Sequence, residues 1–194
     1  MQGAMEQSGL FASEGPPRML RHARRRQEPP PSRGWRHEGH RIRAYVDTSV
    51  FGGTQDDEFI VPSNGFFDQV RLGAYVVLLS DETQRELAAS PEAVQDVWFD
   101  LPPASVELIG LDDEARSLAD EYVGAGVLGE ASIADALHVA AATVANADLI
   151  LSWNFRHIVN YNRIRGFNSV NVRMGYRAMT ILSPREVGDE AEGL

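Results

Sequence analysis

The chain has 194 residues, 43% of them hydrophobic and 24% charged, which suits one globular domain plus some tail and leaves too little length for two full domains. It contains no Cys, and its 18 basic residues are all Arg. That composition excludes disulfides, thiolate metal sites, a cysteine nucleophile, a P-loop lysine and a Schiff-base lysine. The formal net charge of −10 divides unevenly, because residues 1–43 carry nine Arg against four Glu while the remainder carries nine Arg against 24 acids.

Residues 1–40 read as a basic Pro/Arg-rich extension, residues 41–187 as the folded domain and residues 188–194 as an acidic tail. Arg24, Arg25 and Arg26 fit a nucleic-acid-binding arm. The low apolar content and Pro29-Pro30-Pro31 fit a disordered extension better, and that reading is preferred. No apolar run approaches the roughly 18 residues of a membrane span, and the N-terminus lacks the apolar stretch of a signal peptide. The expected location is the cytoplasm, consistent with the absence of Cys.

Along the domain, residues 42–47 read as a short apolar strand that ends in an acid, followed by a turn or short helix over residues 50–53. Ser63-Asn64-Gly65 is expected to cap a helix over residues 66–72. Residues 74–79 form a continuous apolar run, the mark of a strand buried on both faces. Ser80 caps the next helix, with Asp81 and Glu82 in the first turn, where the helix dipole favours acids. After Pro91 comes a helix with an apolar stripe of Val94, Val97, Trp98 and Leu101, then a strand over residues 106–109. Asp112 caps a helix that buries Ala115, Leu118, Ala119 and Tyr122, and another helix runs from Ser132 with Ala136, Leu137, Val139, Ala140 and Val144 inward. Residues 148–154 read as a fourth strand, 170–172 as a short edge strand and 179–182 as a closing one. This alternation predicts an α/β fold, a three-layer α/β/α arrangement with a mainly parallel central sheet.

Ligands of an open parallel sheet gather at the carboxyl ends of its strands. Asp47, Ser80 and Asn154 stand at such ends, and Glu86 and Asp135 lie early in helices that can reach the same rim. Converging carboxylates repel one another unless a dication neutralises them, and oxygen donors select Mg²⁺ or Mn²⁺. Taken singly, Asp47 is also a plain turn residue, Asp135 a helix cap and Glu86 a surface acid sharing its face with Glu82. Glu86 is preferred because it sits in the helix body beside Leu87. His138, three residues after Asp135, reads as a core or supporting histidine, His157 as a loop or helix-start residue, and Trp98 and Trp153 as core.

Four segments together resemble the PIN-domain nucleases. Tyr45-Val46-Asp47-Thr48-Ser49-Val50 looks like their opening strand, and residues 80–87 resemble their segment with an acid-Leu pair. Ala134-Asp135-Ala136-Leu137-His138 is similar to their third-acid helix, and residues 151–160 to the segment around their fourth acidic position. The resemblance implies a PIN-like fold and a Mg²⁺- or Mn²⁺-dependent endoribonuclease of the VapC toxin type. It makes Asp47, Glu86 and Asp135 the metal-binding acids. Asn154 matches the fourth site, where many members carry Asp, and Ser49 matches a supporting polar position. The same resemblance implies an RNA substrate, a small antitoxin partner and a homodimer. A catalytically weak or inactive PIN-fold protein that binds RNA or protein is the alternative. A haloacid-dehalogenase-type phosphotransferase is disfavoured, since Ser49 stands where its second acid belongs and the chain lacks lysine. A Rossmann oxidoreductase is disfavoured because no glycine fingerprint follows the first strand.

Overall fold

Ile, Tyr and Val supply three of the five residues of Ile42–Val46, and in the computed structural model this segment is strand β1, the centre of a five-stranded sheet. The structure describes residues 41–188, so the extension expected over residues 1–40 and the acidic tail beyond 188 lie outside the described residues. The other strands are β2 (Tyr75–Ser80), β3 (Val106–Ile109), β4 (Leu149–Leu151) and β5 (Thr180–Leu182). All pairings are parallel, in the order β3-β2-β1-β4-β5. The α/β/α architecture with a parallel sheet is therefore the one expected from the sequence.

Period-two alternation along the strands divides the core into two layers. Tyr45, Leu78, Ile150 and Ile181 face one side, where they meet α5 (Asp113–Gly124), α6 (Ile133–Val144) and α7 (Tyr161–Arg173). Ala44, Val46, Val77, Leu79, Leu149 and Leu151 face the other. There they meet α1 (Thr48–Gly52), α2 (Ile60–Arg71) and α4 (Glu92–Phe99), together with Leu87 of α3 (Asp81–Ala89). A final helix, α8 (Pro184–Gly188), packs on α2. Fully burying a Leu such as Leu78, Leu79 or Leu87 contributes about 1.5–3 kcal/mol each, so these positions anchor the sheet to its helices. Among the described residues, no helix is long and apolar enough to cross a membrane.

The helix caps at Ser80 and Asp112 form as expected, their side chains accepting from the backbone N–H of Thr83 and Ala115. Two local expectations are corrected. α2 begins at Ile60, so Ser63 lies within the helix and does not cap it. A turn at Asp56, whose carbonyl accepts from Ile60, feeds straight into this helix, and Pro62 is tolerated because first-turn N–H groups have no helical partner. Residues 170–172 are helical: Asn160 caps α7 by accepting from Asn162 and Arg163, and Phe167, Val170 and Asn171 are buried at helical spacing.

Ser63 works instead as a buried acceptor for Trp153 Nε1, at 2.9 Å. Gly53 packs against this pair, and a Cβ there would meet Ser63 Oγ at 2.5 Å and Trp153 Nε1 at 2.7 Å. Gly53→Ala should therefore break the bond and displace Trp153, destabilising the fold by about 1–3 kcal/mol. The drop is readable as a lower denaturation midpoint. An unchanged midpoint would show that the indole and the hydroxyl have more slack than their spacing indicates.

Candidate metal centre

Chain order runs outward from β1 to β3 on one side and from β4 to β5 on the other, which places a topological switch between β1 and β4. Asp47 follows β1 directly and Ser152 follows β4, so both stand at that switch. Asp47 is buried, and its Oδ2 accepts from Ser49 Oγ at 2.6 Å and from Ser152 Oγ at 2.5 Å. Each hydroxyl is held in turn: Ser49 Oγ accepts from the Trp153 N–H and Ser152 Oγ from the Asn154 N–H, both at 2.9 Å. The first turn after β1 and the loop after β4 thus fix the carboxylate from both sides.

Glu86 reaches the same place from the second turn of α3, which Ser80 starts at the end of β2. Thr48 Oγ1 donates to Glu86 Oε2. His138, on α6, is 3% exposed; its Nε2 lies 3.4 Å from both Glu86 oxygens and 3.9 Å from Asp47 Oδ1. Its other nitrogen, Nδ1, is 2.7 Å from the Tyr45 hydroxyl, which also contacts Ser80 Oγ and Thr83 Oγ1. This buried chain of polar atoms fixes the imidazole plane and directs Nε2 at the acids. No buried side-chain polar atom among the described residues lacks a partner.

The electrostatics follow from this geometry. Burial opposes the charged imidazolium, but the Tyr45 oxygen and the Glu86 and Asp47 carboxylates outweigh it and raise the His138 pKa well above 6.5. Burial likewise pushes the Glu86 carboxyl up, yet the hydrogen bonds from His138 and Thr48 bring it below its ordinary 4.5.

The Asp47, Glu86 and His138 ligand atoms lie within 4.8 Å of one another. Two mutually repelling carboxylates and an imidazole held by its far nitrogen form a donor set that fits a divalent cation. Asp135 stands one turn before His138 on α6 with a different set of partners. Its Oδ1 accepts from Asn154 Nδ2 at 2.6 Å and its Oδ2 is 2.7 Å from His157 Nδ1. Asn154 Oδ1 accepts in turn from the His157 N–H, and Ser132 Oγ lies 3.3 Å from His157 Nδ1. Asp47, Glu86 and Ser49 thus meet in one group, Asp135 and Asn154 in a second, and the Ser152 hydroxyl links them through the Asn154 N–H. His138 and His157 are the members that the sequence did not single out as ligand or partner. The i, i+3 spacing of Asp135 and His138 was the one available signal.

No family model matches the chain, and no curated protein matches it significantly. Among solved structures it is similar to a chain in the crystal structure of VapBC2 from Rickettsia felis bound to a DNA fragment from their promoter. The two share 11% identity, the match covers 73% of this chain and 98% of that one, and the TM-score is 0.45.

Proposed function

We propose that the chain is a divalent-cation-dependent endoribonuclease of the PIN type, with the cluster at the sheet's carboxyl edge as its active site. The observation carrying this reading is the convergence of Asp47, Glu86 and His138 donor atoms within 4.8 Å. Asp47 and Glu86 are two of the three acids that the resemblance makes metal-binding, and they would hold the cation, with His138 Nε2 joining them on losing its proton to the solvent. An imidazole in the set favours Mn²⁺ over Mg²⁺, which prefers oxygen donors and retains its waters. Such an ion, when bound, supplies Lewis acidity toward a phosphodiester and toward water.

The chain's own residues do the rest. Ser49 and Ser152 hold Asp47 Oδ2 in place, which leaves Oδ1 on the side of His138. Tyr45 holds His138 in register. Asp135, the third acid, is fixed by Asn154 and His157 one turn before His138 on α6. A small antitoxin partner and a homodimer belong to the same reading.

Purified full-length protein incubated with single-stranded RNA tests it. Cleavage should occur with Mn²⁺ and cease in EDTA, and calorimetry should give a Mn²⁺ binding isotherm. A folded protein that neither binds Mn²⁺ nor cuts RNA would overturn the proposal and favour the non-catalytic alternative.

A further inference from the structure

The acidic body hides a basic stretch. Residues 149–185 hold six Arg and no Asp or Glu. Three of the six are engaged with carboxylates elsewhere, Arg173 with Glu121, Arg177 with Asp148 and Arg185 with Glu58. The other three cluster around the start of α7. Arg163 donates to the Val127 carbonyl, Arg165 stacks over the Tyr161 ring at 5.7 Å, and exposed Arg156 has no hydrogen-bond or ion-pair partner among the described residues. Arg156 and Arg163, with Asn160, Gly126 and Val127, line an open cleft of about 530 Å³ without a single acid in its wall. Tyr161, between the lining residues Asn160 and Asn162, is 73% exposed.

We propose that this cleft is the seat of single-stranded RNA, with phosphates on Arg156 and Arg163 and a base stacked on Tyr161. Guanidinium groups without carboxylate partners on a strongly acidic protein create a local positive site for a polyanion. The exposed Tyr161 ring supplies a stacking face that only an unpaired base can use. Arg156 lies in sequence between Asn154 and His157, and both of these bind Asp135. The inference rests on the nuclease reading for its choice of RNA, and otherwise stands on the cleft.

The test is fluorescence anisotropy of a labelled single-stranded RNA of about 15 nucleotides, a length matched to known single-strand binding sites, with the full chain in EDTA so that cleavage plays no part. Arg156→Ala should weaken binding at least about fivefold and lower the salt slope by about one. Tyr161→Ala should weaken single-stranded RNA at least about fivefold and leave duplex RNA unchanged. Arg71→Ala, on α2, is the charge-matched control and should bind as wild type. Arg165→Ala serves as a second variant should Arg156→Ala fail to fold. The proposal falls if the Arg156→Ala/Tyr161→Ala double variant binds as wild type, if single and double strands suffer equally, or if poly-glutamate competes as well as RNA. Should no form of the protein cut RNA while Arg156→Ala still weakens binding, the cleft stands and the nuclease reading falls. Should Mn²⁺-dependent cleavage proceed with unchanged kcat/KM in Arg156→Ala, the reverse holds.

Discussion

Asp47→Asn should give a folded protein with no measurable Mn²⁺ isotherm and with metal-dependent RNA cleavage lowered at least about 100-fold. Replacing a group that merely orients a ligand costs up to about 100-fold in affinity or activity, so loss of a ligand charge sets that as the lower bound. The side chain keeps its size, and one oxygen can still accept from Ser49 and Ser152, so the loop after β4 stays in place. What disappears is the negative charge that faces His138 Nε2 from 3.9 Å. An Asp47→Asn variant that binds Mn²⁺ as tightly as wild type would end the case for this cluster as the cation site.

The second large effect concerns His138. In EDTA at about pH 6, His138→Leu should lower folding stability by about 3 kcal/mol, because it strips the buried Asp47 carboxylate of its cationic neighbour. Glu86, about a third exposed, contributes less through solvent screening. The pH dependence has a definite sign. The His138 pKa is raised by folding, so its stabilisation is fully present below 6.5 and is lost as pH rises through the folded value. The Glu86 pKa is depressed, so its stabilisation is present above 4.5 and is lost as pH falls through the folded value. Urea denaturation of both proteins from about pH 6 to about pH 10 should therefore show the gap narrowing as wild type loses its advantage. A gap that stays constant over this range would mean that His138 is neutral in the fold and is not paired with the acids.

The parts of the fold legible in the sequence were those set by local chemistry. Ser80 and Asp112 could be recognised because a side-chain acceptor three residues before a helical N–H is a short-range device. The buried strands showed as unbroken apolar runs. Residues 170–172 misled because two valines flank an asparagine, a pattern that suits an edge strand. Only the Asn160 cap and the burial of Phe167 identify the segment as helix. Ser63 misled for a similar reason, since a Ser-Asn-Gly sequence looks like a helix start until Trp153, 90 residues later, is seen to use the hydroxyl.

The candidate site divides along the same line. Asp47 and Glu86 could be placed at one edge from strand ends and helix starts alone. The burial of His138 was also legible, from the alanines and valine around it. The direction of its Nε2 was not, because Tyr45 sets it across the sheet and that contact depends on how α6 lies against β1. The tie between Asp135 and His157 likewise depends on the turn after β4, whose course spacing does not reveal.

The order of the strands has a consequence for synthesis. Asp47, after β1, and Glu86, on α3, are synthesised before the helix bearing His138 and before β4. A nascent polypeptide halted before residue 130 holds both acids without the imidazole between them and without the Ser152 hydroxyl that steadies one of them. The proposed cation site is therefore complete only after the central strand has gained its second neighbour.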